Sequence, residues 1–112
     1  MTRQEELEAM SEFELSITLA GLIFPINTFI ERYTPKSSSI YIDTETGIER
    51  DYCNNPADIM PLVLENNINL LNQYWCDGDG VNKIAMDFTH EIESKHKNVY
   101  RAACIVLILM KE

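Results

Sequence analysis

The residues best suited to chemistry lie in one stretch, Asp51-Tyr52-Cys53-Asn54-Asn55-Pro56-Ala57-Asp58-Ile59-Met60-Pro61. Asp51 and Asp58 flank a turn and could serve as an acid/base pair, one carboxyl group donating a proton where the other accepts one. Cys53 with His90 or His96 has the makings of a thiolate–imidazole pair, and the addition of Cys76 would give a zinc site. Each of these readings has a structural rival. Asp at a helix start, and Asp or Asn in a turn, satisfy backbone N–H groups without any catalytic duty. The cysteines and histidines lack metal-site spacing, so a buried thiol and two solvated imidazoles are the plainer reading. Asp77-x-Asp79 begins like a calcium loop, but Val81 stands at its fifth position and no Glu fills the twelfth, so a hairpin turn accounts for it. There is no glycine-rich phosphate loop, GxSxG or HExxH in the chain. The residues therefore predict no catalytic set, no metal, no cofactor and no enzyme.

Binding is the better-supported chemistry. Tyr52, Tyr74 and Trp75 fall at the ends of elements, where a ring can be half buried with its polar tip in water. With Cys53, Asn54 and Asn55 they make the candidate surface for a ligand or partner. Rim-of-core packing is the rival explanation for the same rings.

The totals limit what such a surface could bind. The chain has 112 residues, which predicts one domain over 1–112, with residues 1–10 as a partly flexible acidic leader. Apolar residues make up 46 % of it, and a chain of this size buries roughly 65 % of its unfolded surface, enough for a core without staples. Nine Lys and Arg against 18 Asp and Glu give a net charge of −9. That charge argues against general binding to a nucleic-acid backbone, which needs cations along one face. It suits solubility alone, a basic protein partner, or mimicry of nucleic-acid charge. The one basic cluster, Lys95, Lys97 and Arg101, is balanced by Glu91 and Glu93 and reads as a mixed, solvated face. Cys53, Cys76 and Cys104 include no CxxC pair and leave an odd thiol, which fits a reducing compartment. The N-terminus is acidic where a signal peptide would be apolar. The longest apolar run, Ala102–Met110, is about half of the roughly 20 residues that a membrane span needs. A cytoplasmic protein with no membrane association is expected.

Several local signals place the elements that must position the central stretch. Ser11 and Glu14 form a capping-box pattern ahead of Phe13, Ile17 and Ala20, predicting a helix from Glu12 to about Ala20, with Gly21 and Pro25 as stops. Asn27–Tyr33 has strand composition, Thr34–Ser39 is loop-like, Ile40–Ile42 reads as a short edge strand, and Asp43–Gly47 as a turn. Asn55 then caps a helix with Pro56 at its first position and Asp58 in its first turn. Pro61 leaves two versions: a tight or 3₁₀-like first turn, or a helix capped by Asp58 that starts at Ile59. In both, Met60, Leu62, Val63 and Leu64 supply the buried face, and Asn66-Asn67 ends it. Strand-like sequence from Ile68, the Asp-Gly pairs at 77–80, and a returning strand over Asn82–Phe88 predict a hairpin. Thr89–Asn98 reads as a loop. Asn98 caps a final helix, Val99–Lys111, apolar nearly all round, with a strand over Cys104–Ile108 as the rival. The order is α-β-(β)-α-β-β-α: an α+β domain in which three helices pack on both faces of one small, mostly antiparallel sheet.

The Asp51–Asp58 run followed by Pro61 resembles a segment that precedes a helix in the NinX-like proteins of lambdoid phages and prophages. Ser11-Glu12-Phe13-Glu14 and Asn98-Val99-Tyr100-Arg101-Ala102-Ala103 are similar to the openings of that family's first and last helices. Val99 stands where the family usually has Pro. The similarity spans most of the chain, leaving residues 34–48 uncovered. What the resemblance implies is a small phage-encoded accessory protein with an α/β sandwich and no established activity, so no catalytic residue carries over. The expected function is that of an acidic phage or prophage protein that binds a host or phage protein, in its most specific form as an inhibitor of a host defence factor. Two alternatives stand beside it. One is a small-ligand binder that sequesters a nucleotide signal between Tyr52, Asn54, Asn55, Tyr74 and Trp75. The other is a cryptic hydrolase using Cys53 or Asp51.

Overall fold

Side-chain caps set where the helices begin. In the computed structural model, which describes residues 2–31, 40–73, 82–87 and 91–112, helix α1 spans Arg3–Ala9 behind a capping box of Thr2 and Glu5. Helix α2, Glu12–Ile23, follows the same device built from Ser11 and Glu14. Asn55 caps α3, Pro56–Glu65, and Asn98 caps α4, Val99–Lys111. Each cap satisfies backbone N–H groups that the first helical turn leaves without partners, worth about 1 kcal/mol apiece.

The last helix is the hub. Ala102 to Ile108 are buried without interruption, so α4 is enclosed on every side. Helices α1, α2 and α3 pack on it, and so do two strands of the second sheet. Burying its Ile, Val and Leu side chains contributes roughly 1.5–3 kcal/mol each, before the entropy of ordering them is subtracted. The helix predicted over Val99–Lys111 is present with those bounds, and the strand alternative fails because all-round burial suits a helix inside a core.

Among the described residues, six strands form two three-stranded antiparallel sheets rather than one sheet. The first has β1 (Phe29–Glu31), β2 (Tyr41–Asp43) and β3 (Glu49–Arg50) in sequence order. Its central strand is β2, which the sequence placed at an edge. Tyr41 pairs with both Glu31 and Arg50, so β2 has a neighbour on each side. The β2–β3 turn closes with the Gly47 N–H donating to the Asp43 carbonyl at 2.7 Å, with Gly47 at φ +72°, a conformation glycine adopts without steric cost.

The second sheet has β4 (Asn69–Gln73), β5 (Asn82–Asp87) and β6 (Ile92–His96), again in sequence order. The β4–β5 hairpin predicted from the Asp-Gly signal is present, with Leu70 opposite Ala85; residues 77–80 themselves lie outside the described residues. Ala85 pairs with Ser94 of β6, and both are buried. Ala102 and Ala103 of α4, which packs on both strands, are also small and buried.

Four features depart from the sequence reading. The acidic leader is largely helical, and Leu7 within it is 0 % exposed. Gly21 does not stop α2, because it does not adopt the left-handed conformation of a helix stop; the helix runs on to Ile23, with Phe24 as its cap beside Pro25. Residues 92–96, read as loop, form β6 after a left-handed residue at Glu91, φ +55°. In α3 the buried pair is Ile59 and Val63, whereas Leu64 is 72 % exposed. Starting the helix at Pro56 fixes that phase. Pro61 is tolerated because it lies on the exposed face, and so does Ala57, whose carbonyl would have received its missing N–H. Among the described residues, four helices and two sheets therefore replace the three helices and one sheet expected. The radius of gyration is 14.0 Å, close to the ~13 Å of a compact chain of this length. No helix among the described residues is long and apolar enough to cross a membrane.

Candidate functional site

The turn between β3 and α3 is held by its own polar groups. The Asp51 carboxylate accepts the N–H groups of Cys53 and Asn54, both at 3.2 Å. The Asp51 N–H in turn donates to the Asp58 carboxylate at 2.8 Å, and the Asn55 N–H donates to the Asp51 carbonyl at 3.0 Å. Asn55 Oδ1 caps the Ala57 N–H at 3.0 Å. This is side-chain-to-backbone bonding of the kind that Asp and Asn favour at turns and helix starts. The two carboxylates read as a possible acid/base pair are thus joined through the backbone of one of them.

Tyr52 and Cys53 point inward. Tyr52 is 2 % exposed, and its hydroxyl accepts from the Tyr41 hydroxyl at 3.0 Å. The Tyr41 ring makes an edge contact with Phe29, with centroids 5.1 Å apart. Burial pushes the phenols of both Tyr41 and Tyr52 above the ordinary tyrosine range. Cys53 is fully buried; its thiol donates to the Glu12 carbonyl at 3.6 Å and lies 4.0 Å from the Ser16 hydroxyl. These two residues anchor the turn to the core.

Asn54 and Asn55 point outward. Asn54 Nδ2 donates to the Glu12 carboxylate at 2.9 Å, and Asn54 Oδ1 accepts from Asn98 Nδ2 at 3.3 Å. Asn98 Nδ2 also donates to the Cys53 carbonyl at 2.6 Å, while Asn98 Oδ1 accepts the N–H groups of Tyr100 and Arg101. The starts of α2, α3 and α4 therefore meet at one point, where three positive dipole ends favour the carboxylates of Glu12 and Asp58.

Beside this junction lies an open cleft of about 350 Å³, lined by Ile40, Glu49, Arg50, Asp51, Asn54, Asn55 and Asp58. Arg50 is fixed from behind. Its guanidinium lies 4.9 Å from the centre of the Phe24 ring and 3.9 Å from the Asp43 carboxylate. Burial acts to raise the Asp43 carboxyl, but the Asn27 amide, the N–H groups of Glu45 and Thr46, and Arg50 together hold it below its ordinary value of 3.8. The Asn27 contact is 2.8 Å.

Of the six predicted surface residues, Asn54 and Asn55 line the cleft. Tyr52 and Cys53 sit behind it, and Tyr74 and Trp75 lie outside the described residues. The sequence reading missed Glu12, Glu49, Arg50 and Asn98 as neighbours of the turn. Only Asn98 carried a signal, as a cap, and nothing local told that its amide would reach back to Cys53. His96 is exposed, with Nδ1 accepting the Asn98 N–H at 2.9 Å; His90 lies outside the described residues. Lys95 pairs with Glu93 at 3.4 Å. Arg101 instead turns away from the basic cluster to donate to the Glu8 and Met10 carbonyls at 3.0 and 2.7 Å, closing the end of α1. Among the described residues no three His, Cys, Asp or Glu side chains are grouped to hold a metal ion. No model of a known protein family, no curated protein and no solved structure matches this chain.

Proposed function

We propose that this chain acts by binding another protein, and that the cleft beside the start of α3 receives a basic side chain of that partner. One observation carries the reading: among the described residues, Glu49, Asp51 and Asp58 share the cleft with one cation, Arg50, whose guanidinium is engaged by Phe24 and Asp43. The net charge of −9 favours encounter with a basic surface and slows encounter with an acidic one. By its resemblance at residues 51–61, we place the chain with small accessory proteins of phages and prophages, working in the cytoplasm of an infected or lysogenic bacterium. Inhibition of a host defence factor is the most specific form of that role.

The rival readings have less support. As a hydrolase the protein would use Cys53, which is buried and bonded to Glu12, or Asp51, whose carboxylate already holds two N–H groups. A nucleotide-signal binder would set phosphates against three carboxylates.

The test is affinity capture from bacterial lysate with the wild-type chain and with Glu49→Lys. Glu49 is exposed, so the substitution leaves stability within about 0.5 kcal/mol. The expected result is a saturable protein partner that is retained by the wild type and lost by the variant. Equal capture by both, or no saturable partner, overturns the proposal. A rise in Tm with a mononucleotide or cyclic nucleotide would favour the sequestering alternative.

A further inference from the structure

Two of the three cysteines are brought together by the fold. Cys53 stands in the turn before α3 and Cys104 in α4, and both are 0 % exposed. Their sulfurs hang on one face of α2: Cys53 Sγ lies 3.6 Å from the Glu12 carbonyl and Cys104 Sγ 3.6 Å from the Leu15 carbonyl. Those carbonyls are three residues apart, adjacent rungs of the same helical face. Both are free thiols.

We propose that Cys53 and Cys104 form a redox pair, in which a hydroperoxide oxidises the two thiols to a disulfide that locks the turn before α3 onto α4. Burial, together with the neighbouring Cys53, holds the Cys104 thiol well above the ordinary thiol range, so it remains protonated. The peroxide-consuming step falls to Cys53, which stands in a turn held by side-chain bonds, whereas Cys104 lies inside the buried run of α4. The Cys53 sulfur attacks one peroxide oxygen, the O–O bond breaks, and Cys53 becomes a sulfenic acid while the departing hydroxide takes the Cys53 thiol proton to become water. The Cys104 sulfur then attacks the Cys53 sulfur. The S–S bond forms, the S–O bond breaks, and the second hydroxide leaves as water with the Cys104 proton. Two thiols are oxidised and one hydrogen peroxide is reduced to two waters.

Burial also makes the device conditional. Peroxide reaches Cys53 only when the turn opens, which requires release of the Asn98–Cys53 and Asn54–Glu12 bonds. A partner or condition that loosens the turn would thus expose the pair. The resulting disulfide encloses α3 and the second sheet in a covalent loop, a constraint that stabilises mainly by limiting the unfolded chain.

The test uses the full chain treated with hydrogen peroxide under native conditions, alkylated, digested without reductant and mapped by mass spectrometry. The expected product is a Cys53–Cys104 linked peptide, two hydrogens lighter than its parts, that disappears on reduction and persists in Cys76→Ser. In Cys104→Ser, dimedone should trap a sulfenic acid at Cys53; in Cys53→Ser, Cys104 should gain no adduct. Recovery of Cys53 and Cys104 as separately alkylated thiols from the oxidised wild-type chain overturns the proposal, as does linkage of either one to Cys76 instead.

Discussion

The Asn98 side chain joins the start of α4 to Cys53: its amide nitrogen donates to the Cys53 carbonyl at 2.6 Å while its oxygen accepts the N–H groups of Tyr100 and Arg101. One residue thus serves as helix cap and as tether for the turn 45 positions earlier in the chain. Asn98→Ala removes both roles and should cost about 2–3 kcal/mol, the sum of a lost cap and an unsatisfied carbonyl. Asn98→Ser keeps a capping oxygen but cannot reach Cys53, so it should recover about 1 kcal/mol of that loss. Urea unfolding of the three proteins checks the order.

Leu7 tests whether the first helix belongs to the core. It is the one buried residue of α1 and is fully enclosed. Leu7→Ala should lower stability by about 2–5 kcal/mol, as cavity-forming changes do. Leu64→Ser, at a site 72 % exposed, should change it by less than about 0.5 kcal/mol. Denaturant midpoints at constant m-value measure both.

How far the sequence told this structure depended on how local each signal was. The caps at Ser11, Asn55 and Asn98 bond to N–H groups two or three residues away, so spacing alone revealed them and the helices they begin. Helix α1 carried the same signal in Thr2 and Glu5, but one buried leucine in seven residues makes no apolar periodicity. Strand β6, Ile-Glu-Ser-Lys-His, is polar enough to pass for loop; it is a strand because β5 pairs with it and α4 covers Ser94, and neither partner is visible locally. Division into two sheets is likewise a matter of long-range pairing. In the central stretch the cap architecture was legible, and so was the outward setting of Asn54 and Asn55. The inward setting of Tyr52 was not, since it depends on the Tyr41 hydroxyl eleven residues earlier.

The Tyr41–Tyr52 pair gives an alkaline signature. Both phenols are held above the ordinary value of 10.0 by burial. For an acid whose folded value is raised, the unfolded state loses its proton first, so this contribution is intact below about pH 10 and is lost as pH rises beyond it. Phenolate absorbance from these two rings should appear only together with unfolding. Tyr52→Phe should halve that delayed amplitude and cost about 1 kcal/mol at neutral pH for the lost hydroxyl bond. Spectrophotometric titration alongside circular dichroism separates the two effects.

His96 supplies a second window. Partial burial, then the Arg101 guanidinium, lowers its value below 6.5, and protonation at Nδ1 would break its bond from the Asn98 N–H. The unfolded state therefore binds the proton more readily, and stability should fall as pH drops from about 6.5 through the folded value. His96→Asn offers an acceptor that does not titrate and should flatten the change between about pH 7.5 and about pH 5.5. Losses at still lower pH belong to Asp43 and Glu112, whose carboxyls are held below 3.8 and 4.5 by their own partners. The wild-type and variant stability curves should converge in slope there.

Because the hub helix is made of residues 99–111, it leaves the ribosome after every other described element. Every earlier helix packs its apolar face against a segment that has not yet been synthesised, so the growing chain carries exposed Leu15, Leu19, Ile59 and Val63 until α4 emerges. Stable folding is thereby deferred until α4 has been made, when the collapse of all layers onto it becomes a single event rather than a stepwise one. Nascent chains stalled before residue 99 should remain protease-sensitive throughout, and those extended past residue 111 by enough linker to clear the exit tunnel should become resistant in one step.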